Sequence, residues 1–282
     1  MADEQQQQVH GATDADRGTI LDFPHLLQVA EQQAEAFASA EPFKHIVIDD
    51  FLDADSLDRI LSVFPSPDPE RTTVRWRNMD ANTKDGLPAQ RGKLDFSTRE
   101  SGGKDLSNEF YVAPPIRQLF WELNSSTFLR FLEKLTGIPH LLPDPHMQGG
   151  GIHQIRRGGL LRVHADFNKH PIFGLDRRLN FLLYLNRDWK DEYEGHLELW
   201  SKDMKRCERR IAPIAGRAVV FTTLTDSYHG HPRALNCPED MTRKSIAMYY
   251  YTNGRPEEEQ HPPHATLWQR LPEEEEELRP VE

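Results

Sequence analysis

Residues 151–168 read GIHQIRRGGLLRVHADFN, in which apolar and polar residues are interspersed around two central glycines. This stretch contains two segments whose length and composition favour short β-strands, and four more such segments follow along the chain. The six segments are GIHQI near 151, LLRVHADF near 160, LNFLLYLN near 179, GHLELW near 195, RAVVFT near 217 and SIAMYYYT near 245. Six short strands at this spacing predict an all-β sandwich or barrel, but they do not distinguish a jelly roll from other sandwiches.

Helical spacing appears upstream of these strands. Residues 23–37 carry apolar side chains on one helical face, and residues 45–51 are rich in β-branched residues, as is typical of a strand. Asp53 stands where the cap of a second helix belongs, and residues 115–136 return to helical spacing before Gly137. We therefore expect N-terminal α-helices to buttress one face of the β-rich core.

The two ends of the chain differ in composition from the middle. Residues 1–20 are rich in Gln, Asp and Gly with almost no large apolar side chain, which predicts a disordered tail. Residues 272–282 contain a run of glutamates, which predicts a second, acidic and solvated tail. Between them we expect a single catalytic domain over 21–271, with a helical and covering part at about 21–140 and the jelly-roll core at about 141–255.

Composition limits the classes of partner. The chain has 282 residues and a formal net charge of -11, which disfavours nucleic-acid binding because that binding depends on clustered basic side chains. No apolar run is long enough to cross a membrane, and the polar, acidic start does not resemble a signal peptide. Cys207 and Cys237 are the only cysteines, so we expect reduced thiols and a cytoplasmic protein. The sequence does not indicate an oligomeric state.

Three residues form a candidate metal site. His164 and Asp166 are two residues apart in a strand-like segment, so their side chains project from the same face. His229 lies much further along the chain, at the end of another strand, and could complete two nitrogens and one carboxylate around an iron. His231 is the alternative third ligand, and we favour His229. The competing interpretation of His164 and Asp166 is a half-buried histidine beside a solvated carboxylate.

A candidate anion site follows in the last predicted strand. Arg243 and Ser245 share one face of this strand by its two-residue period, while Lys244 points away. A guanidinium beside a hydroxyl can hold a carboxylate by forked, charge-assisted hydrogen bonds. The alternative is a surface arginine at the start of a strand.

Residues 146–252 together resemble the catalytic core of the Fe(II)/2-oxoglutarate-dependent oxygenases, in particular the prolyl 4-hydroxylase-like branch. The matching features occur in the family's order. They are GGGIHQIRRGGLLRVHADFN with its His-x-Asp, LNFLLYLNRDW, GHLELW, YHGHP and the Arg243-Lys244-Ser245 match to the family's R-x-S. One departure is His196, which follows Gly195 where the family's G-G-x-L has its second glycine.

The resemblance implies a mainly β fold, a double-stranded β-helix (jelly-roll, cupin-like) core. It implies Fe(II) at His164, Asp166 and His229, and 2-oxoglutarate at Arg243 and Ser245. Tyr184 matches a position that often contacts the 2-oxoglutarate carboxylate, with a packed core aromatic as the alternative. The implied reaction consumes O2 and 2-oxoglutarate, releases succinate and CO2, and hydroxylates a substrate C–H bond. Ascorbate is a candidate reductant, and the carboxylate of Asp166 disfavours halogenation.

The substrate is the open question. A small molecule such as an amino acid, a sugar or a secondary metabolite is our first hypothesis, a prolyl-type residue of a protein the second, and a jelly roll without redox activity the third. The polar residues 68–104, here called the cover, are predicted either to close the mouth of the site or to form a solvated insertion. Candidate substrate contacts are Gln154, Arg156, Arg162 and His231.

Overall fold

The computed structural model describes residues 18–72, 77–78, 80–84, 87–96 and 112–277. Its helices are α1 (Phe23–Ser39), α2 (Ala54–Leu61), α3 (Pro114–Leu123), α4 (Ser126–Thr136) and α5 (Pro272–Glu277). Its strands are β1 (His45–Ile48), β2 (Arg77–Asn78), β3 (Ala81–Asn82), β4 (Pro88–Phe96), β5 (Gly151–Ala165), β6 (Asp176–Tyr184), β7 (Leu197–Trp200), β8 (Cys207–Ile211), β9 (Ala218–Thr222), β10 (His229–His231), β11 (Arg243–Thr252) and β12 (Leu267–Trp268). Most of the predicted disordered tail, residues 1–17, lies outside the described residues.

The helices begin and end at residues suited to these positions. The Asp53 carboxylate accepts a hydrogen bond from the Ser56 amide at 2.7 Å, which confirms the predicted cap of α2. Ser125 caps α4 in the same way, and Gly137 ends it in the left-handed region at φ +71°. None of the helices in the described part of the chain is long and apolar enough to cross a membrane.

The sheet is antiparallel throughout and curls on itself, which confirms the jelly-roll prediction. Its strand order is β1-β9-β6-β11-β5-β10-β7-β8. The long strand β5 joins two sets of neighbours, because its first half pairs with β11 and its second half pairs with β10. On the opposite edge, β5 pairs with β4 and, at its end, with β12.

The prediction of six separate strands is wrong at β5, where the first two segments form one continuous strand. Gly158 has φ +76°, so the backbone bends where the two glycines predicted a break. The strand continues through this bend because β4 pairs with residues on both sides of it, with an irregularity between Arg91 and Lys93.

Two apolar clusters lie on opposite faces of the curled sheet. The outer cluster packs helices α1, α3 and α4 against β6, β9 and β11, as the prediction of buttressing helices requires. Phe128 of α4, for example, lies 5.4 Å from Phe181 of β6 between ring centroids. The inner cluster includes Tyr184 and Phe221 and lies inside the curl. Successive residues of one strand therefore point to opposite faces and pack into different clusters.

Both ends of the described chain are anchored. Ile20 is buried, and its amide donates to the Glu122 carboxylate at 2.9 Å, so the last residue of the predicted tail is packed against α3. At the other end, the first part of the predicted solvated tail is helical, since residues 272–277 form helix α5. Glu274 of that helix pairs with the buried guanidinium of Arg162.

The cover is described only in part. Residues 73–76, 79, 85–86 and 97–104 lie outside the described residues, including most of the predicted strand around Trp76. The described remainder includes β2 and β3, which each pair with β4, and β4 pairs with β5. Asp80, Ala81 and Gln90 of this region line the cavity that contains the candidate site.

Candidate metal centre

His164, Asp166 and His229 come together in space. One ligand atom from each residue lies within 4.8 Å of the others. His229 of β10 is the antiparallel partner of His164 on β5, and Asp166 follows the end of β5 directly. The Nε2 atoms of both histidines lie 3.4 Å from oxygens of the Asp166 carboxylate. The predicted ligand set is thus brought into one place.

Both imidazole rings are oriented by backbone carbonyls. Nδ1 of His164 contacts the Arg162 carbonyl at 2.8 Å, and Nδ1 of His229 contacts the Ser227 carbonyl at 2.9 Å. Because a carbonyl only accepts, each Nδ1 carries the proton and each Nε2 keeps a lone pair directed at Asp166. Burial lowers the pKa of His164, which favours the neutral ring that a metal requires.

The Asp166 carboxylate is kept ionised. Burial alone would raise its pKa, but the charge of Arg177 holds the pKa well below its usual range. Arg177 Nη2 donates to Asp166 Oδ2 at 2.9 Å. Two neutral imidazoles and one carboxylate are the donor set that suits a divalent iron with open positions.

Arg243 lies in the same cavity and is buried. Its Nε donates to the Gly195 carbonyl at 2.6 Å, and its Nη2 donates to the Tyr184 hydroxyl at 3.3 Å. Ser245 and Tyr184 face each other across β11 and β6. Burial lowers the pKa of Arg243 and raises that of Tyr184. Among the residues that the structure describes, no carboxylate lies within ion-pair distance of Arg243.

The sequence comparison identifies the domain that carries these residues. Residues 150–251 match the family model of the 2OG-Fe(II) oxygenase superfamily. Residues 150–251 form a 2OG-Fe(II) oxygenase domain. Its enzyme class is that of the 2-oxoglutarate-dependent dioxygenases, with iron and 2-oxoglutarate as cofactors. No curated protein sequence matches the chain significantly.

Solved structures share the fold of the oxygenase at low sequence identity. A prolyl hydroxylase from Trichoplax adhaerens, in complex with a hypoxia inducible factor peptide fragment, has a TM-score of 0.51 and 15% identity, over 81% of this chain and 91% of that one. HygX from Streptomyces hygroscopicus, with nickel, 2-oxoglutarate and hygromycin B bound, has a TM-score of 0.50 and 11% identity, over 84% and 96%. At this identity the likeness shows the fold alone.

The cavity that contains the candidate site has a volume of about 380 Å³. It is lined by the candidate metal ligands His164, Asp166 and His229, and by Arg243, Ser245, Tyr184 and His231. Trp268 of β12 forms part of its wall, with its ring 4.9 Å from that of His164 between centroids. The described part of the cover supplies another part of the wall.

Three of the four candidate substrate contacts do not line this cavity. His153 and Ile155 of β5 face it, so by alternation Gln154 and Arg156 face away. The Gln154 amide donates to the Pro65 carbonyl at 2.7 Å, and Arg156 donates to the Pro67 carbonyl at 3.0 Å. The Arg162 guanidinium forms an ion pair with Glu274 and donates a hydrogen bond to the Pro88 carbonyl. The sequence interpretation of these three as substrate contacts is corrected to roles in holding neighbouring segments.

Two residues that bind Asp166 were missed. Arg177 and Asn180 are three residues apart on β6, so a regular strand would place them on opposite faces. An irregularity in the pairing of β6 with β11 lies at Arg178, and it brings both side chains to the cavity. Nothing in the sequence signals this bulge.

Gly195 is required for the close packing around Arg243. Its φ is +76°, and a Cβ there would lie 2.5 Å from Leu235 Cδ2 and 3.0 Å from Arg243 Cδ. We expect Gly195→Ala to displace the guanidinium and raise the KM for 2-oxoglutarate by about 10- to 100-fold, since small misplacements carry costs of this order. Gly137→Ala is the control, because Gly137 has a similar φ of +71° and no atom near the added Cβ. An unchanged KM in Gly195→Ala would show that Arg243 does not depend on this contact.

Proposed function

We propose that the chain is a hydroxylase in which His164, Asp166 and His229 hold one Fe(II). In this proposal Arg243, Ser245 and Tyr184 hold the distal carboxylate of 2-oxoglutarate. The substrate is a small molecule with an unactivated C–H bond, such as an amino acid, a sugar or a secondary metabolite. Succinate and CO2 are the co-products.

The buried charge of Arg243 carries the proposal. A buried guanidinium without an anionic partner is costly, and the described residues supply no carboxylate to it. The same cavity holds the His164–Asp166–His229 cluster. A ligand with a carboxylate at one end and metal-binding oxygens at the other satisfies both features, and 2-oxoglutarate has this form.

The side chains of the protein orient the bound groups and exclude water from the cavity. Iron and 2-oxoglutarate supply the oxidative chemistry when bound. The backbone contacts of His164 and His229 orient the ligand nitrogens. Trp268 and the cover residues Asp80, Ala81 and Gln90 line the cavity and help to exclude water from it. The pKa of Asp166 lies well below its usual range, so this ligand is ionised throughout the physiological pH range.

The size of the cavity supports a small substrate. Its volume of about 380 Å³ must contain the bound 2-oxoglutarate as well as the reacting part of the substrate. Volumes of a few hundred cubic ångströms suit small organic ligands. The described strands β3 and β4 and the residue Trp268 narrow the remaining space.

A peptidyl, prolyl-type hydroxylase is the second candidate. A surface groove of about 440 Å³ shares Asp80, Ala81 and Gln90 with the cavity and continues to Arg91 and Arg157. An extended peptide along this groove could place one residue in the cavity.

The experiment that tests the proposal measures succinate release by purified, Fe(II)-loaded protein. A panel of amino acids, sugars and secondary metabolites is compared with a panel of proline-containing peptides. We expect at least one small molecule to accelerate succinate release, with a hydroxylated product in equal amount. Acceleration by peptides alone would establish the second candidate. No metal-dependent consumption of 2-oxoglutarate under any condition would contradict both.

The cover offers a further prediction about coupling. Replacing residues 80–87 with a short glycine linker removes β3 and retains β4. We expect 2-oxoglutarate decay without substrate to stay near wild type, because the proposed iron and 2-oxoglutarate contacts lie elsewhere. We expect product formed per succinate to fall about tenfold or more, since substrate orientation is lost. Product and succinate are quantified together by mass spectrometry, and wild-type coupling in the variant would show that the cover does not position the substrate.

A further inference from the structure

The guanidinium of Arg162 joins β5 to two other segments of the chain. Its Nε donates to the Pro88 carbonyl at the start of β4 at 3.2 Å, and its Nη1 donates to the carboxylate of Glu274 in α5. The Arg162 side chain is 7% exposed and the Glu274 side chain 28%. Burial would raise the pKa of Glu274, but the contact with Arg162 lowers the pKa overall, so the two side chains form an ion pair at neutral pH.

Both of these segments form parts of the cavity wall. In the cover, Gln90 lines the cavity close behind Pro88, and in the C-terminal segment Thr266 and Trp268 line it ahead of α5. The Trp268 ring lies 4.9 Å from the His164 ring between centroids. The Arg162 guanidinium therefore holds two parts of the wall that come from distant parts of the sequence.

The connection from Trp268 to its anchor at Glu274 is short and hydrogen-bonded. The Gln269 amide donates to the Val163 carbonyl at 2.9 Å, and the Glu274 carboxylate accepts from the Leu271 amide at 2.9 Å. One carboxylate thus caps the first turn of α5 and holds this helix to β5. A displacement of Glu274 would be passed to Trp268 through only five intervening residues.

We propose that Arg162 and Glu274 are positioning residues that hold the cover and Trp268 in place around the bound substrate. The inference rests on the proposed function, in which a substrate occupies the cavity. Neither side chain lines the cavity, so each acts through Gln90 or Trp268. The proposed contacts of Fe(II) and 2-oxoglutarate come from other residues. Loss of the ion pair should therefore affect the orientation of the substrate rather than the binding of iron or 2-oxoglutarate.

The test compares two variants with a matched control. Glu274→Gln keeps the shape of the side chain and its acceptor for the Leu271 amide but removes the charge, and Arg162→Met keeps an apolar stem. Glu259→Gln is the control, because Glu259 pairs with Arg178 at 3.0 Å and these side chains are 31% and 9% exposed, close to the values for Glu274 and Arg162. Neither Glu259 nor Arg178 lines the cavity.

Four measurements separate a positioning role from a general one. Hydrogen exchange over residues 262–271 of the metal-free protein reports how firmly the C-terminal segment is attached. Quenching of Trp268 emission by Co(II), taken as the difference from the Trp268→Phe form of each protein, reports the position of the indole beside the candidate metal ligands. Product and succinate are quantified together for the small molecule that the succinate assay selects. Calorimetry gives the 2-oxoglutarate affinity of the Mn(II)-loaded protein.

In Glu274→Gln and in Arg162→Met we expect amide exchange over residues 262–271 to be about tenfold or more faster, because one partner of a largely buried ion pair is lost. The quenching assigned to Trp268 should weaken, and product per succinate should fall about fivefold or more, since small misplacements near the reacting atoms are costly. The 2-oxoglutarate affinity should match wild type. The double variant should show no further loss, because the two residues act as one pair. Glu259→Gln should match wild type in all four measurements.

Wild-type exchange and wild-type quenching in both variants would overturn the inference. Faster exchange with wild-type product per succinate would also overturn it, because the pair would then anchor the C-terminal segment without orienting the substrate. A loss of 2-oxoglutarate affinity as large as the loss of coupling would assign the pair to the whole site instead. If Arg162→Met does not fold, Glu274→Gln decides alone. A wild-type protein that consumes no 2-oxoglutarate would refute the proposed function, and the exchange and quenching results would still decide whether the pair holds the wall.

Discussion

We expect Asp166→Ala to abolish both metal binding and metal-dependent turnover. Asp166 supplies the only carboxylate of the cluster, and its low pKa keeps it charged. Loss of residues that merely orient a ligand costs about 10- to 100-fold, so loss of a ligand itself should leave less than about 1% of wild-type turnover. Fe(II) binding under anaerobic conditions and succinate release under air measure the two effects separately.

The two histidines near the end of the domain provide the control for this prediction. His229 belongs to the cluster, whereas His231 lies in the cavity outside it. His229→Ala should lose Fe(II) affinity as Asp166→Ala does, and His231→Ala should keep it. The reverse pattern would assign the third ligand to His231. It would also require β10 to shift in register, because His229 is paired with His164 in the present arrangement.

The second large effect is expected for Arg243→Ala. Truncation of one partner in a buried, charge-assisted contact costs about 2 to 5 kcal/mol. The KM for 2-oxoglutarate should therefore rise roughly 30-fold to several-thousand-fold, at about 1.4 kcal/mol for each factor of ten. Fe(II) affinity should change little, because Arg243 contacts Gly195 and Tyr184 rather than the cluster.

Lys244 is the matched control for Arg243. It is adjacent in sequence and faces away, and its Nζ contacts the Thr242 carbonyl at 3.4 Å. Lys244→Ala should therefore leave the KM unchanged. A KM that rises in Lys244→Ala and stays at the wild-type value in Arg243→Ala would move the carboxylate site to Lys244 and contradict the proposed arrangement.

Periodicity within one strand was sufficient to predict much of the candidate site. His164 and Asp166 share a face because they are two residues apart, and the same period places Arg243 with Ser245. Both pairs lie in one cavity in the structure. The N-terminal helices were also predictable, since their apolar spacing and the cap at Asp53 are local features.

Features that depend on pairing between strands were not predictable in this way. The bulge at Arg178 reverses the alternation on β6 and brings Arg177 next to Asn180. Pairing with β4 keeps β5 continuous across Gly158. Gln154 was assigned to the substrate because it is near the motif in sequence, but it lies on the other face of β5 and bonds Pro65.

The contacts of the C-terminal segment were also not predictable, because they join residues that are far apart in the sequence. Trp268 reaches the candidate metal centre through the pairing of β12 with β5, and Glu274 reaches Arg162 through helix α5. The glutamate run at residues 273–277 is typical of a solvated end, and its composition does not indicate that Glu274 pairs with a buried arginine. These contacts form between segments about 100 residues apart, so local sequence patterns do not reveal them.

The central claim is that one metal ion and 2-oxoglutarate meet in the cavity between His164, Asp166, His229 and Arg243. The most direct test incubates purified protein with 2-oxoglutarate and O2, with and without Fe(II), and quantifies succinate. We predict succinate release that requires Fe(II) and is absent in Asp166→Ala. Recovery of intact 2-oxoglutarate from the Fe(II)-loaded wild type, or equal release by the Asp166→Ala variant, would contradict the account.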